Sequence, residues 1–111
     1  MRQNLKNKKA KVVAEGKRLT NEGLISEALA YYETELTNEE LITDDKTYKA
    51  RLQVELARRL IDLELFSRAE TLLAQAESEL GDDKGDEAQS VAFWKIRFAL
   101  GKLQFRSMNL Q

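Results

Sequence analysis

Apolar residues recur along this chain at the spacing of a helix, not of a strand. Ile25, Ala28, Leu29, Tyr32 and Leu36 fall on one stripe of a segment predicted as helix from Ile25 to Thr37. Leu52, Leu56, Leu60 and Leu63 line one side of a second such segment, Lys46 to Leu63. Phe66, Ala69, Leu73, Ala76 and Leu80 keep register through a third, Phe66 to Leu80. Before these lies a helix from Leu5 to Asn21, with Val12, Val13, Gly16 and Leu19 at its apolar or small positions. After them a helix is expected from Glu87 to Phe105. Glu22, Gly23 and Leu24 form a turn short enough to make antiparallel neighbours of the first two helices. Thr43, Asp44 and Asp45 supply N-cap chemistry before Lys46, and Gly81 to Asp86 reads as a loop. No stretch alternates with period two, so the prediction is all-α.

The pattern also repeats. At an offset of 41 residues Ala28 meets Ala69, Gly16 meets Ala57, Leu19 meets Leu60, Ile25 meets Phe66 and Tyr32 meets Leu73. Leu29 meets Glu70, which fails. The first copy reads Val12-x2-Glu15-Gly16-x2-Leu19, then Ala28-x3-Tyr32; the second reads Gln53-x2-Leu56-Ala57-x2-Leu60, then Ala69-x3-Leu73. Over residues 10–80 both copies resemble tetratricopeptide repeats, whose pattern is W-x2-L-G-x2-Y, then A-x3-F, then P. Small residues at Gly16, Ala57, Ala28 and Ala69 would let paired helices approach, and the large residues beside them would fill the space. The departures are Glu15 at a large apolar position, Gln53 at the aromatic one, no closing proline, and a spacing above the usual 34. The longer spacing falls on the linker Asn38–Asp45 or on an overrun of the second helix. The resemblance implies one domain over residues 1–111: two antiparallel helix pairs, 5–37 and 46–80, plus a C-terminal helix. It also implies protein–protein interaction as the role. Some members of the family grip a partner's C-terminal carboxylate with a Lys and Asn set on their inner helices. Here those positions hold Val13, Lys17, Val54, Glu55 and Arg58, so that function is not carried over.

Charge sharpens this expectation. Residues 1–18 carry seven basic and one acidic side chain, and residues 19–45 carry eight acidic and none basic. Residues 46–60 carry five basic and one acidic, residues 61–87 nine acidic and two basic, and residues 88–111 four basic and none acidic. The first, third and fifth helices are therefore basic, and the second and fourth acidic. The resemblance implies that the first helix of each pair lines a concave face. That face is then basic, with Lys17, Arg51, Arg58, Lys95 and Arg97 on it, and the net charge of −1 conceals a dipolar field. The functional reading is capture of an acidic segment of a partner protein through Arg and Lys. The competing reading is mutual attraction of neighbouring helices, worth ~0–1 kcal/mol per exposed pair. Nucleic acid is a further alternative, disfavoured by the acidic half and by the scarcity of aromatics among the basic residues.

The fifth helix is apolar almost all round, with Val91, Phe93, Trp94, Ile96, Phe98, Leu100, Leu103 and Phe105. Terminal caps of repeat stacks normally show a polar outer face. This helix instead resembles the inner helix of a third repeat. Trp94 falls at the pattern's tryptophan, although Phe98 and Gly101 break the remainder. Trp94, Phe98 and Phe105 are thus candidates for an apolar interface with a second copy or another subunit. By analogy of size and architecture alone, a small secretion chaperone that sequesters an aggregation-prone helix is an alternative role.

Composition removes most chemistry. The chain has no Cys and no His, so disulfides, thiolate ligands and the commonest general base are absent. It has no Pro to interrupt helices. The segment from Gly81 to Glu87 suggests a calcium loop only superficially, because the alternate-position ligands and the twelfth-position Glu are missing. Tyr31, Tyr32 and Tyr48 read as packing aromatics. No enzyme activity, cofactor or metal is expected. The basic N-terminus lacks the apolar core of a secretory signal, and its first fourteen residues, though free of acids, lack the Ser and repeated Arg of a mitochondrial one. With no run long enough to span a bilayer, a cytoplasmic location is expected.

Overall fold

The computed structural model describes residues 2–82, 85–92, 94, 95 and 97. Among them every regular element is helical and there is no strand. Helices α1 (Arg2–Asn21), α2 (Ile25–Glu35), α3 (Glu39–Ile42), α4 (Lys46–Asp62) and α5 (Phe66–Leu80) follow in order. A sixth, α6, takes in residues 86–92, 94, 95 and 97. The expectation that the last helix extends to Phe105 falls outside the described residues. The boundaries of α5 are those the periodicity predicts, and α4 differs by one residue at its C-terminus. Helix α2 stops two residues early, and the linker after it contains the short α3, which periodicity misses because four residues make barely one turn. Leu41 nonetheless anchors α3 in the core, 3% exposed.

Each helix rests on a neighbour. The packing of α4 against α5 is the most extensive, followed by α2 against α4 and α1 against α2. The partners of α4 run antiparallel or parallel in a way the side chains record. At the start of α4, the Lys46 ammonium donates to the Leu80 carbonyl at the end of α5 (3.4 Å), so these two are antiparallel. Helix α1 runs alongside α4 in the same direction: Lys9 meets Asp45 near one end at 2.9 Å, and Thr20 meets Arg59 near the other at 2.9 Å. The core between them is aliphatic and aromatic. Ala28, Ala57, Ala69, Leu73 and Ala76 have no exposed surface at all.

The helix-joining turns repeat bond for bond at the 41-residue offset. Leu24 donates its backbone N–H to the Leu19 carbonyl at 3.0 Å, and Leu65 donates to Leu60 at 2.8 Å. Gly23 donates to Thr20, and Glu64 donates to Ile61, both at 3.0 Å. Glu22 donates to Arg18 and Leu63 to Arg59, at 3.0 and 3.1 Å. The residue in the left-handed region is Gly23 (φ 78°) in one turn and Glu64 (φ 61°) in the other. These backbone bonds satisfy the last carbonyls of α1 and α4, and α2 and α5 then start after Leu24 and Leu65 without a side-chain cap. Helix α4 starts conventionally: the Asp45 carboxylate accepts from the Tyr48 backbone N–H at 3.1 Å.

Gly16 is a required glycine for a different reason. It is buried, and a methyl group there would run into the phenol end of Tyr32 on α2. No described helix is long and apolar enough to cross a membrane.

Candidate interaction face

The side-by-side course of α1 and α4 leaves a cleft of about 380 Å³ on the face they share with the start of α6. Ala10 and Val13 form its apolar side, Tyr48 and Thr47 come from α4, and the charged lining is Lys9, Asp45, Arg51 and Glu87. The helix periodicity explains the set. Lys9 and Val13 are four apart on α1, as are Thr47 and Arg51 on α4, so each pair shares a face.

The charges in the cleft are mixed. The Lys9 ammonium donates to Asp45 Oδ2 at 2.9 Å and lies 5.6 Å from the centre of the Tyr48 ring. Burial works to raise the Asp45 pKa, but hydrogen bonds from Lys9, the Tyr48 N–H and Thr47 outweigh it and hold the carboxyl below its ordinary value. Glu87 goes the other way. Burial raises its pKa, the charges of Asp86 and Glu55 add to the rise, and Arg51 only partly opposes them. The Tyr48 hydroxyl is buried without a hydrogen-bond partner among the described residues. Burial, reinforced by Glu35, Tyr31 and Asp45, pushes its pKa up to about 12.

The five basic residues predicted for this face divide into three situations. Arg51 is exposed and lines the cleft; Lys17 and Arg97 are exposed on α1 and α6. Arg58 donates from Nη1 to Glu55 at 2.9 Å, and its guanidinium carbon sits 4.6 Å from the centre of the Trp94 ring. Lys95 turns to α5 and pairs with Glu77 at 2.9 Å. Of the predicted apolar interface, Trp94 is half-buried and packs against the core, while Phe98 and Phe105 lie outside the described residues.

Sequence reasoning passed over Lys9, Asp45 and Glu87 as cleft residues. The signal available was the basic run around Lys9, but only the parallel course of α1 and α4 brings it to Asp45. It also passed over Arg59, 4% exposed, which ties α4 to Thr20 of α1 and pairs with Asp62 at 3.2 Å.

The alternation of charge along the chain has a direct structural use. Lys8 pairs with Glu40, Lys49 with Glu79, Arg68 with Glu33 and Lys95 with Glu77, each bridging two different helices. Burial works to raise the Glu79 pKa, but Lys49 and Gln53 donate to its carboxylate and lower it. Part of the basic charge is therefore neutralised between neighbouring elements. Among the described residues no three Asp or Glu side chains gather to hold a metal ion. Comparison with known proteins adds no family to this geometry: no family model, no curated protein and no solved structure matches the chain.

Proposed function

We propose that the chain is a tetratricopeptide-like helical-repeat module that binds another protein along the face shared by α1, α4 and α6. The observation that carries this reading is the duplicated turn. Two helical hairpins with the same hydrogen bonds at one fixed offset are the unit from which repeat stacks are built. Such stacks place the first helix of each pair on an inner surface, and here those helices border a cleft. Arg51 brings exposed positive charge to its lining, and Lys17 and Arg97 are exposed elsewhere on α1 and α6. The ligand expected is a segment rich in Asp and Glu that also carries apolar side chains, which would lie against Ala10 and Val13. Trp94, beside Arg58, offers a second apolar contact for a partner or a second copy. A cytoplasmic setting fits this reading.

The experiment is capture of partners from host lysate by the wild-type chain and by Lys17→Glu/Arg51→Glu, at low and high salt, with and without nuclease. A protein partner lost at high salt and lost with the double variant, but resistant to nuclease, is the expected result. Retention at high salt by both proteins would refute the basic face and favour an apolar, chaperone-like contact. Loss on nuclease treatment would make nucleic acid the ligand.

A further inference from the structure

The large apolar side chains that stand exposed among the described residues all belong to the two helix-joining turns: Leu24 (39% exposed), Leu63 (41%) and Leu65 (41%). The turns lie at one end of the molecule. Helices α1 and α4 run parallel, and Thr20 at the end of α1 is bonded to Arg59 near the end of α4. Leu24 and Leu65 are equivalent at the 41-residue offset, and an apolar residue at that point of a helix-ending turn commonly packs back on the helix it leaves. Leu63 has no such local duty, for its counterpart in the first turn is the charged Glu22. Between Leu63 and Leu65, Glu64 holds the left-handed backbone that Gly23 holds in the sister turn. A side chain kept where glycine fits more easily, with an exposed leucine on each side, points to a surface that does more than join two helices.

The rim of this patch is acidic. Glu22 and Glu64 lie in the turns, Asp62 ends α4, and Glu27 sits in the first turn of α2; all four are exposed. Glu22 pairs with Arg18 and Asp62 with Arg59, while Glu27 and Glu64 take no ion pair among the described residues. The exposed cations nearby are matched by acids: Arg18 by Glu15 and Glu22, Arg68 by Glu33.

We infer that this end of the molecule is a second interaction surface, whose occupant is a basic, apolar-bearing segment of another protein. Its apolar side chains lie on Leu24, Leu63 and Leu65, and its Lys or Arg side chains meet the acids around them. Two copies of this chain meeting end to end would set acid against acid, so charge favours a basic partner over a second copy. The surface is separate from the basic face bordered by α1, α4 and α6: it uses the turns in place of the helix flanks, and it takes a ligand of opposite charge. The inference therefore stands whether or not that face binds an acidic segment.

The probe is a fluorescein-labelled synthetic helical peptide of leucine and lysine, titrated into the full chain at low salt and followed by fluorescence anisotropy. A leucine–glutamate peptide of the same pattern is the control. The Leu/Lys peptide should bind and the control should not. Leu63→Ser with Leu65→Ser should weaken binding by about tenfold, and Glu27→Lys with Glu64→Lys should do the same. Lys17→Glu with Arg51→Glu, which alters the basic face, should not weaken it. No binding of the Leu/Lys peptide, or an affinity that both turn variants leave unchanged, would overturn the inference. So would a wild-type dimer in sedimentation that the leucine variant loses, because the occupant would then be a second copy. The charge-reversed variant keeps the leucines, so it reads the surface even if the serine variant loses helix by circular dichroism.

Discussion

At the turn between α1 and α2 the left-handed position is held by Gly23; at the same point between α4 and α5 it is held by Glu64. The backbone bonds are the same, so the second turn forms with a residue that resists its conformation. The paired helices show a parallel exchange. Gly16 admits the Tyr32 ring in the first hairpin, while Ala57 and Leu73, both fully buried, take the corresponding positions in the second. A larger small residue goes with a smaller large one. A third exchange concerns Arg18 and Arg59. Arg18 is exposed and pairs with Glu15 and Glu22 on its own face of the chain. Arg59, one repeat later, has α1 beside it and is almost fully buried. Equivalent positions thus meet different demands according to what lies on each side.

The largest effect should come from breaking the first hairpin's close approach. Gly16→Val should cost about 3 kcal/mol, measured by denaturant unfolding, because Tyr32 is buried and its ring has little room to withdraw. Copying the second hairpin with Gly16→Ala and Tyr32→Leu should cost much less than the two single changes summed. Additive losses would show that the two positions are not coupled. Next in size is Arg59→Ala, expected to cost about 2 kcal/mol through weaker packing and the removal of its bonds to Thr20, Glu55 and Asp62. Arg18→Ala should leave the unfolding midpoint where it is. Equal losses at the two arginines would remove the distinction between them.

The turns give a smaller pair of opposed changes. Glu64→Gly should stabilise by about 1 kcal/mol, since glycine accepts the positive φ freely, and Gly23→Ala should destabilise by a similar amount. A loss of stability in Glu64→Gly would mean that its side chain contributes more than its backbone costs.

The smallest effects are tied to pH. Asp45 and Glu79 have depressed pKa values, so their contribution to stability is present at neutral pH. It is lost as pH falls below their ordinary values of 3.8 and 4.5. Glu87 has the opposite sign: its raised pKa means that ionisation is disfavoured in the folded chain, and the penalty appears as pH rises above the ordinary value of 4.5. Glu87→Gln should therefore raise stability at pH 7 and leave it unchanged near pH 3, as read by thermal unfolding. A variant that gains equally at both pH values would point to packing instead of charge.

Much of the fold was legible because helical periodicity is a local property. The stripe of Phe66, Ala69, Leu73, Ala76 and Leu80 fixed both ends of α5. Helix α3 escaped because one turn carries no period, and its only buried anchor is Leu41. Lys95 and Arg58 could be placed on helices from sequence. Their pairing with Glu77 and their stacking on Trp94 could not, because each depends on the rotation of one helix against another.

The sequence by itself determined that the chain is helical, where its principal helices lie, and that charge alternates between them. It also carried the 41-residue recurrence of Gly16, Leu19, Ala28 and Tyr32, because spacing along a chain needs no third dimension. Only the tertiary structure decided how that charge is used. The parallel course of α1 and α4 brings Lys9 to Asp45 and Arg59 to Thr20, and the antiparallel course of α5 brings Glu79 to Lys49. These partners are 30 or more residues from their mates in sequence, so no local pattern could have joined them. The direction in which one helix lies against another selects which charges neutralise each other and which remain at the surface.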